Sequence, residues 1–292
     1  MITYKHTPVF ANSICNLLDI QAGHVILDCT CGEGGHGAII LEKFGSQVFY
    51  VGLDRDPQIL EIAKQRLQPL SKKAIFLLSP YSNAKEALAE KSILQVDRIL
   101  VDLGLSMFHL NHMERGFSFN SDEKLDMRFD QTEKSITAFE IINSYKEDEI
   151  SDIIYIYGEE HASRKIARNI ISERKRKPIQ TCTDLARIVS KSKGFAGKIH
   201  PATQTFQALR IYVNSEFNQM ESLFAIIPSM LPVNGKVAFI TYHSLEDRRV
   251  KVFMRSTETI TPVNKKVIIP DQDEVNSNPA SRSAKLRVGV RN

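Results

Sequence analysis

The sequence predicts an α/β fold built on a mostly parallel sheet, with a helical segment inserted into it. Three observations carry that expectation. Short apolar β-type runs recur at residues 24–28, 47–54, 73–79 and 96–102. Amphipathic segments such as "PQILEIAKQRLQPL" fill the gaps between them, the pattern of parallel strands joined by crossover helices. The next convincing strand, "GKVAFITYHS" at 235–244, comes far too late for one crossover helix.

The first run leads into "HVILDCTCGEGGHGAII", which contains G-x-G-x-x-G literally as Gly32, Gly34 and Gly37. Glycine suits a sharp strand-to-helix turn and a close backbone approach to a ligand. The pattern is usually read as a dinucleotide site, but three details point elsewhere. Asp28 ends the strand just before the turn, where a carboxylate sits poorly beside a pyrophosphate and suits an ammonium group. His36 adds bulk inside the loop. Asp54 ends the second run about twenty residues after the loop, placed to accept hydrogen bonds from both hydroxyls of a ribose. Together these fit S-adenosylmethionine better than a dinucleotide. Asp102 ends the fourth run. Ligands of parallel sheets lie beyond the carboxyl ends of the strands, so Asp28, Asp54 and Asp102 are expected to converge on one crevice. Singly, each reads better as a turn or helix-cap aspartate; the three together favour a site.

The insertion reads helical. "KEDEISDIIYIYG" ends in Gly158 as a C-cap. A basic segment runs from about 159 to 177 and stops at Pro178. "TDLARIVSKSKG" starts at Thr181 or Thr183 and ends at Gly194. "HPATQTFQALRIYVNSEFNQMESLFAIIP" carries Phe206, Leu209, Val213, Met220, Phe224 and Ile227 at helical spacing and predicts one long helix, with Pro201 in its first turn and Pro228 closing it. In "HSLEDR", Ser244 with Asp247 resembles a capping box. "KKVIIP" and "AKLRVGV" are candidates for an antiparallel edge, and "DQDEVNSNPASRS" between them reads as polar loop. The expected division is 1–110 with 215–292 as one domain and 111–214 as the inserted helical domain.

The chain has 292 residues, 42% hydrophobic and 25% charged, enough to bury a sizeable core. No apolar run reaches the roughly 18 residues of a membrane helix, and "MITYKHTPVF" lacks a signal peptide's apolar stretch, so a cytoplasmic protein is expected. Cys15, Cys29, Cys31 and Cys182 form neither a zinc nor a thioredoxin arrangement and read as buried or turn thiols, with no metal expected. The net charge is only +4. Its distribution says more. "RKIARNIISERKRK" holds Arg164, Lys165, Arg168, Arg174, Lys175, Arg176 and Lys177 against Glu173, and the tail holds Arg282, Lys285, Arg287 and Arg291 with no acid. These segments suit a phosphate-rich partner, or else a solvated helix face and a loose tail.

Over almost its whole length the sequence resembles the bacterial 16S rRNA (cytosine-N4)-methyltransferases. The shared strings are "HTPV", "GGHG", "GLDRDP", "DLGLS", "ERGFSF", "LDMRFD", "YGEE", "HPATQTFQALRIYVNSE", "HSLEDRRVK" and "NPASRSAKLR". The resemblance implies a class I methyltransferase (Rossmann-like) sheet with an inserted substrate-recognition domain. It further implies S-adenosyl-L-methionine as methyl donor, and 16S rRNA or the small ribosomal subunit as partner. The family's donor contacts fall on Gly34, Gly35, His36, Asp54, Tyr81, Asp102 and His109. Tyr81 is placed to pack against the adenine, and Asp102 is the candidate for orienting the amine or the donor. His109 stands where the family commonly has glutamine, and Gln204 where many members carry arginine. Thr203, Gln204 and Arg210 are the residues of their segment available to RNA. The competing readings are a non-catalytic ribosome-assembly factor that keeps a donor-binding fold and, further off, a dehydrogenase.

Overall fold

The computed structural model describes residues 7–11, 13–105, 109, 115–132, 134–193 and 200–292. The chain divides into two compact units, Met1–Ser106 with Asn218–Asn292, and Met107–Phe217.

The first unit is a seven-stranded sheet ordered β3-β2-β1-β4-β5-β7-β6. Strands β1 (Val25–Asp28), β2 (Phe49–Asp54), β3 (Ala74–Leu78), β4 (Arg98–Asp102) and β5 (Lys236–Thr241) are mutually parallel. β6 (Ile260–Pro262) and β7 (Lys285–Arg291) add an antiparallel edge. The apolar runs become strands because both faces of the sheet are covered. Ile26, Leu27, Leu53, Ile99, Leu100 and Val237 are fully buried, as central parallel strands require. Crossovers are made by α2 (Gly35–Phe44), α3 (Pro57–Leu67) and α4 (Ala84–Ala89), with a single turn α1 (Ile14–Leu17) ahead of them. The chain builds outward from β1 to β3 and returns through β4, so a topological switch point lies between β1 and β4. Ligands of such sheets bind there.

The edge differs from expectation. "KKVIIP" contributes only an isolated bridge, Ile268 to Leu286, and the outer strand is Ile260–Pro262. The stretch expected as polar loop folds into α12 (Gln272–Ser277) and a 3₁₀ turn, Pro279–Ser283. Asp271 caps α12 by accepting from the Glu274 amide at 2.8 Å, a local signal hidden by the segment's polarity.

The second unit holds α5 (Ala138–Ser144), α6 (Glu147–Gly158), α7 (Ser163–Arg174), α8 (Cys182–Lys193) and α9 (Thr203–Val213); α10 (Glu216–Met230) begins in it and runs into the first unit. Helix α5 starts with a capping box in which Thr137 and Glu140 satisfy each other's backbone amides. The C-cap of α6 is Glu159, with φ of 51°, rather than Gly158. Gly158 is needed for packing, since a Cβ there would stand 2.6 Å from the Gln204 carbonyl oxygen of α9.

The single long helix expected from Pro201 to Pro228 is broken. Asn214 ends α9 and Ser215 follows with φ of 50°. The Asn214 amide donates to the Met127 carbonyl at 2.7 Å and accepts from the Phe129 amide at 2.9 Å, so a distant loop fixes the break. Pro228 lies inside α10 and does not close it. Pro201 precedes α9, whose N-cap is Ala202. Gly194 lies outside the described residues.

Among the described residues no helix is long and apolar enough to cross a membrane, and no cluster of histidine, cysteine and acidic side chains could hold a metal. The four cysteines are buried and unbridged. Burial pushes the Cys29 and Cys31 thiols well above the usual range.

Candidate active site

The site starts from the turn after β1. Gly32 and Gly34 have φ of +53° and +76°, the left-handed region where a side chain is strained. Gly37 is helical, but a Cβ on it would meet the Tyr50 hydroxyl at 2.5 Å and Leu67 at 2.6 Å. The literal G-x-G-x-x-G therefore divides into two turn glycines and one that lets α2 pack on the sheet. Gly35 is different: it has no positive φ, and the atoms its Cβ would meet first belong to Pro8, at 3.4 Å, an ordinary contact. Helix α2 has Gly34 as N-cap, no side-chain cap and no acid in its first turn. Its first amide donors thus form a place for an anionic group.

Asp54 closes β2 and holds this turn. Its carboxylate accepts from the Gly32 amide at 2.9 Å and from the Asp56 amide at 3.0 Å. A carboxylate offers about four lone-pair sites, which suits this half-buried position to accept the paired hydroxyls of a ribose as well. Tyr81 opens the 3₁₀ turn after β3 and is partly exposed. The Ser79 amide beside it donates to the Asp54 carbonyl at 2.9 Å, so Tyr81 and Asp54 follow neighbouring strand ends.

The three strand-end aspartates do not converge as expected. Asp28 pairs in register with Gly52 and Leu100, so Asp54 and Asp102 each lie two residues further along their strands, roughly 6.6 Å at the usual strand rise. Asp28 is only 1% exposed. The Tyr50 hydroxyl donates to one of its oxygens at 2.8 Å and the Thr30 amide to the other at 3.2 Å. It supports the turn from below and does not face a ligand's ammonium group. Burial pushes its carboxyl up to about 6.

Asp102 stands at the end of β4 with about 20% of its side chain exposed. The Gly104 amide donates to it at 3.3 Å, the Tyr242 hydroxyl lies at 3.4 Å, and His36 Nδ1 lies at 3.7 Å. Its own backbone amide donates to Thr30 Oγ1 at 2.6 Å. Burial raises its carboxyl above the ordinary carboxylate value, while His36 pulls the other way. His36 is 6% exposed and its Nε2 lies 2.8 Å from the Val9 carbonyl. The ring therefore ties the first turn of α2 to the segment before α1 and aims its second nitrogen at Asp102.

Gly34, Gly35, His36, Asp54, Tyr81 and Asp102 thus gather around the carboxyl ends of β1–β4. His109 belongs to the second unit, buried between Phe117 and Phe129 with ring centroids at 5.3 and 5.0 Å. Sequence reasoning missed Tyr242 and Thr30, which hold Asp102. A position directly after β5 was the available signal for Tyr242. A Cβ on Gly104 would lie 2.5 Å from the Tyr242 ring, so that glycine admits it.

Several expected contacts are structural. In "HSLEDR" the cap of α11 (Ser244–Ser256) is His243, which accepts from the Glu246 amide and forms the box with Glu246, not Ser244 with Asp247. Asp247 instead takes a bidentate pair from Arg287 at 2.7 and 3.1 Å. The tail is not loose: Arg287 and Lys285 share Asp247, and Arg291 bonds the Leu231 carbonyl. Gln204 donates to the Gly158 carbonyl at 3.2 Å, and Arg210 pairs with Glu216 at 2.7 Å, so both side chains expected to be free for RNA are engaged within the protein. The buried acid of "YGEE", Glu160, pairs with Lys193.

The basic segment also divides. Arg174 donates to the Ile142 and Tyr145 carbonyls at 2.8 and 2.6 Å and so caps α5. Arg168 lies 3.7 Å from Glu147 and Arg176 3.8 Å from Glu173. Arg164, Lys165, Lys175 and Lys177 are exposed and make no ion pair among the described residues.

Known proteins are similar in sequence to this chain over nearly its whole length. "Ribosomal RNA small subunit methyltransferase H" of Dictyoglomus turgidum is 41% identical over 98% of this chain and 97% of its own. The proteins of the same name from Cyanothece sp. PCC 7425 and Deinococcus radiodurans are 42% and 41% identical over 99% of this chain, covering 95% and 90% of theirs. Among solved structures, the N-methyltransferase NodS of Bradyrhizobium japonicum overlaps 96% of this chain and 93% of its own at 12% identity and a TM-score of 0.44. The fold assignment rests on the strand order described above. A model of the MraW methylase family matches residues 3–291, glycine turn, strand-end aspartates and inserted helices included, and the chain belongs to that family.

Proposed function

We propose that this protein is an S-adenosyl-L-methionine-dependent methyltransferase that modifies N4 of a cytidine in the decoding centre of 16S rRNA. The observation that carries the reading is the near full-length identity to enzymes named for small-subunit rRNA methylation. The crevice at the strand ends fits the donor on its own terms. The N-terminus of α2, which no side chain caps, suits the donor's carboxylate. Asp54 suits the ribose and Tyr81 the adenine face. Asp102, partly exposed at the end of β4, suits a cationic or amine group. Gly34, Gly35 and His36 shape the turn around it. His109 joins this set by its place in the family pattern.

When bound, the donor supplies a methyl group activated by its sulfonium. The protein's own task is positioning, because the N4 lone pair of cytosine is delocalised into the ring and a small misalignment is costly. Asp102 is held by Tyr242, Gly104 and His36, so its carboxylate presents fixed acceptors to the amine. Its raised proton affinity favours accepting a hydrogen bond, and then a proton, as positive charge develops on N4. Burial of Tyr242 beside Asp102 pushes that phenol well above its ordinary value, which keeps it a donor. The target base must leave its stack to be reached. The basic residues of the inserted unit are the proposed substrate-recognition contacts.

The test uses donor carrying a labelled methyl group and small subunits from a strain lacking this protein. Transfer of label to 16S rRNA is expected. Donor binding without transfer to naked RNA or subunits would favour an assembly factor. Asp54→Asn should weaken donor affinity by about 10- to 100-fold, as for loss of a charge-assisted hydrogen bond of roughly 1.5–3 kcal/mol.

A further inference from the structure

A cavity of about 570 Å³ opens on the antiparallel edge of the sheet, between α11, β6 and β7. In strand order β7 lies three steps from β1, roughly 14 Å at the usual strand spacing, so the cavity is separate from the donor crevice. Its walls carry Lys251 and Arg255 from the second half of α11, and Lys265 and Lys266 from the loop after β6. All four are exposed, and none makes an ion pair among the described residues. The fifth cation, Arg287, is neutralised by its bidentate pair with Asp247. Met254 and Val288, both buried, form an apolar floor.

We propose that this cavity is a binding site for the phosphodiester backbone of the RNA substrate, resting on the reading of the protein as an rRNA methyltransferase. Four exposed cations line one cavity with no acid among its lining residues, and such grouped like charge is relieved by an anion. No aromatic side chain lines the cavity, so it offers no stacking platform for bases. The cations meet phosphates while the apolar floor covers sugar. Such interactions carry no sequence information; they fix the register and orientation of the RNA. The cavity therefore anchors a strand away from the reacting base.

The test is binding of a 16S rRNA transcript across a salt series by the full chain and by Lys251→Ala/Arg255→Ala/Lys265→Ala/Lys266→Ala. The quadruple variant should bind at least about tenfold more weakly at low salt. Its slope of log affinity against log salt should flatten by roughly 3 to 4, at about 0.7–0.9 for each of the four phosphates no longer neutralised. Donor affinity and melting temperature should not change. A charge-preserving Lys251→Arg/Lys265→Arg/Lys266→Arg variant should retain binding. An unchanged slope and affinity would overturn the proposal. So would loss of inorganic phosphate binding with RNA binding intact, which would assign the cavity to free phosphate. The methyl-transfer assay on the unaltered protein reads the underlying function separately, because RNA binding is measured here without catalysis.

Discussion

Asp28, Asp54 and Asp102 share a residue type and a strand-end position, yet strand register gives them different work. Two residues of offset bury Asp28 under the turn and leave the other two at its rim. That burial has a measurable sign. The Asp28 carboxyl holds its proton more tightly folded than unfolded, moving from 3.8 to about 6. Its favourable contribution is therefore present below 3.8 and lost as pH rises through about 6. Urea unfolding against pH should show the wild type losing up to about 3 kcal/mol across that window relative to Asp28→Asn, whose side chain does not titrate. Parallel pH profiles for the two proteins would remove Asp28 as the source. The glycines divide the same way. Gly37→Ala places a methyl against Tyr50 and Leu67 and should lower stability by about 1–3 kcal/mol. Gly35→Val should fold, since the nearest atom to a Cβ there, on Pro8, lies at an ordinary contact distance, yet lose donor binding by filling the space beside the first turn. Calorimetry with the donor and thermal unfolding on both variants separate the two roles. Normal donor affinity in Gly35→Val would place the ligand away from that residue.

Helix α7 shows why a run of charge in sequence is not yet a binding surface. Replacing Arg164, Lys165, Lys175 and Lys177 with alanine should weaken RNA binding and flatten its salt dependence by about 0.7–0.9 for each phosphate those cations neutralise. Stability and donor affinity should hold. Arg174→Ala should instead destabilise the inserted unit, by about 1–3 kcal/mol, because it uncaps the last carbonyls of α5. A salt slope that ignores the first variant would make α7 a solvated face. The same distinction marks what was legible at this scale. Strands β1 to β5 are readable as apolar runs because burial on both faces writes itself into the residue types. The break between α9 and α10 is not readable, because apolar spacing continues through it. Asn214 breaks the helix through Met127 and Phe129, partners far away in sequence. Nor does spacing reveal that Gln204 and Arg210 are already engaged.

At the scale of the whole molecule, the interruption after β4 is legible because no crossover helix needs so long a stretch. The sheet then resumes beside β4 with β5, so the insertion leaves the parallel order intact. The donor crevice is legible in part. The glycine turn, Asp54 and Asp102 announce themselves by type and position, while the brace of Tyr242, Thr30 and His36 behind Asp102 depends on how separate strand ends meet. Together these parts are proposed to place a methyl group on N4 of one cytidine in the small-subunit RNA. Nucleoside mass spectrometry and site mapping of 16S rRNA test this, in a strain lacking this protein and in the same strain carrying wild type or Asp102→Asn. N4-methylation of one decoding-centre cytidine should disappear in the deletion, return with wild type and stay absent or strongly reduced with Asp102→Asn. An unchanged N4-methylcytidine level in the deletion strain would contradict the assignment.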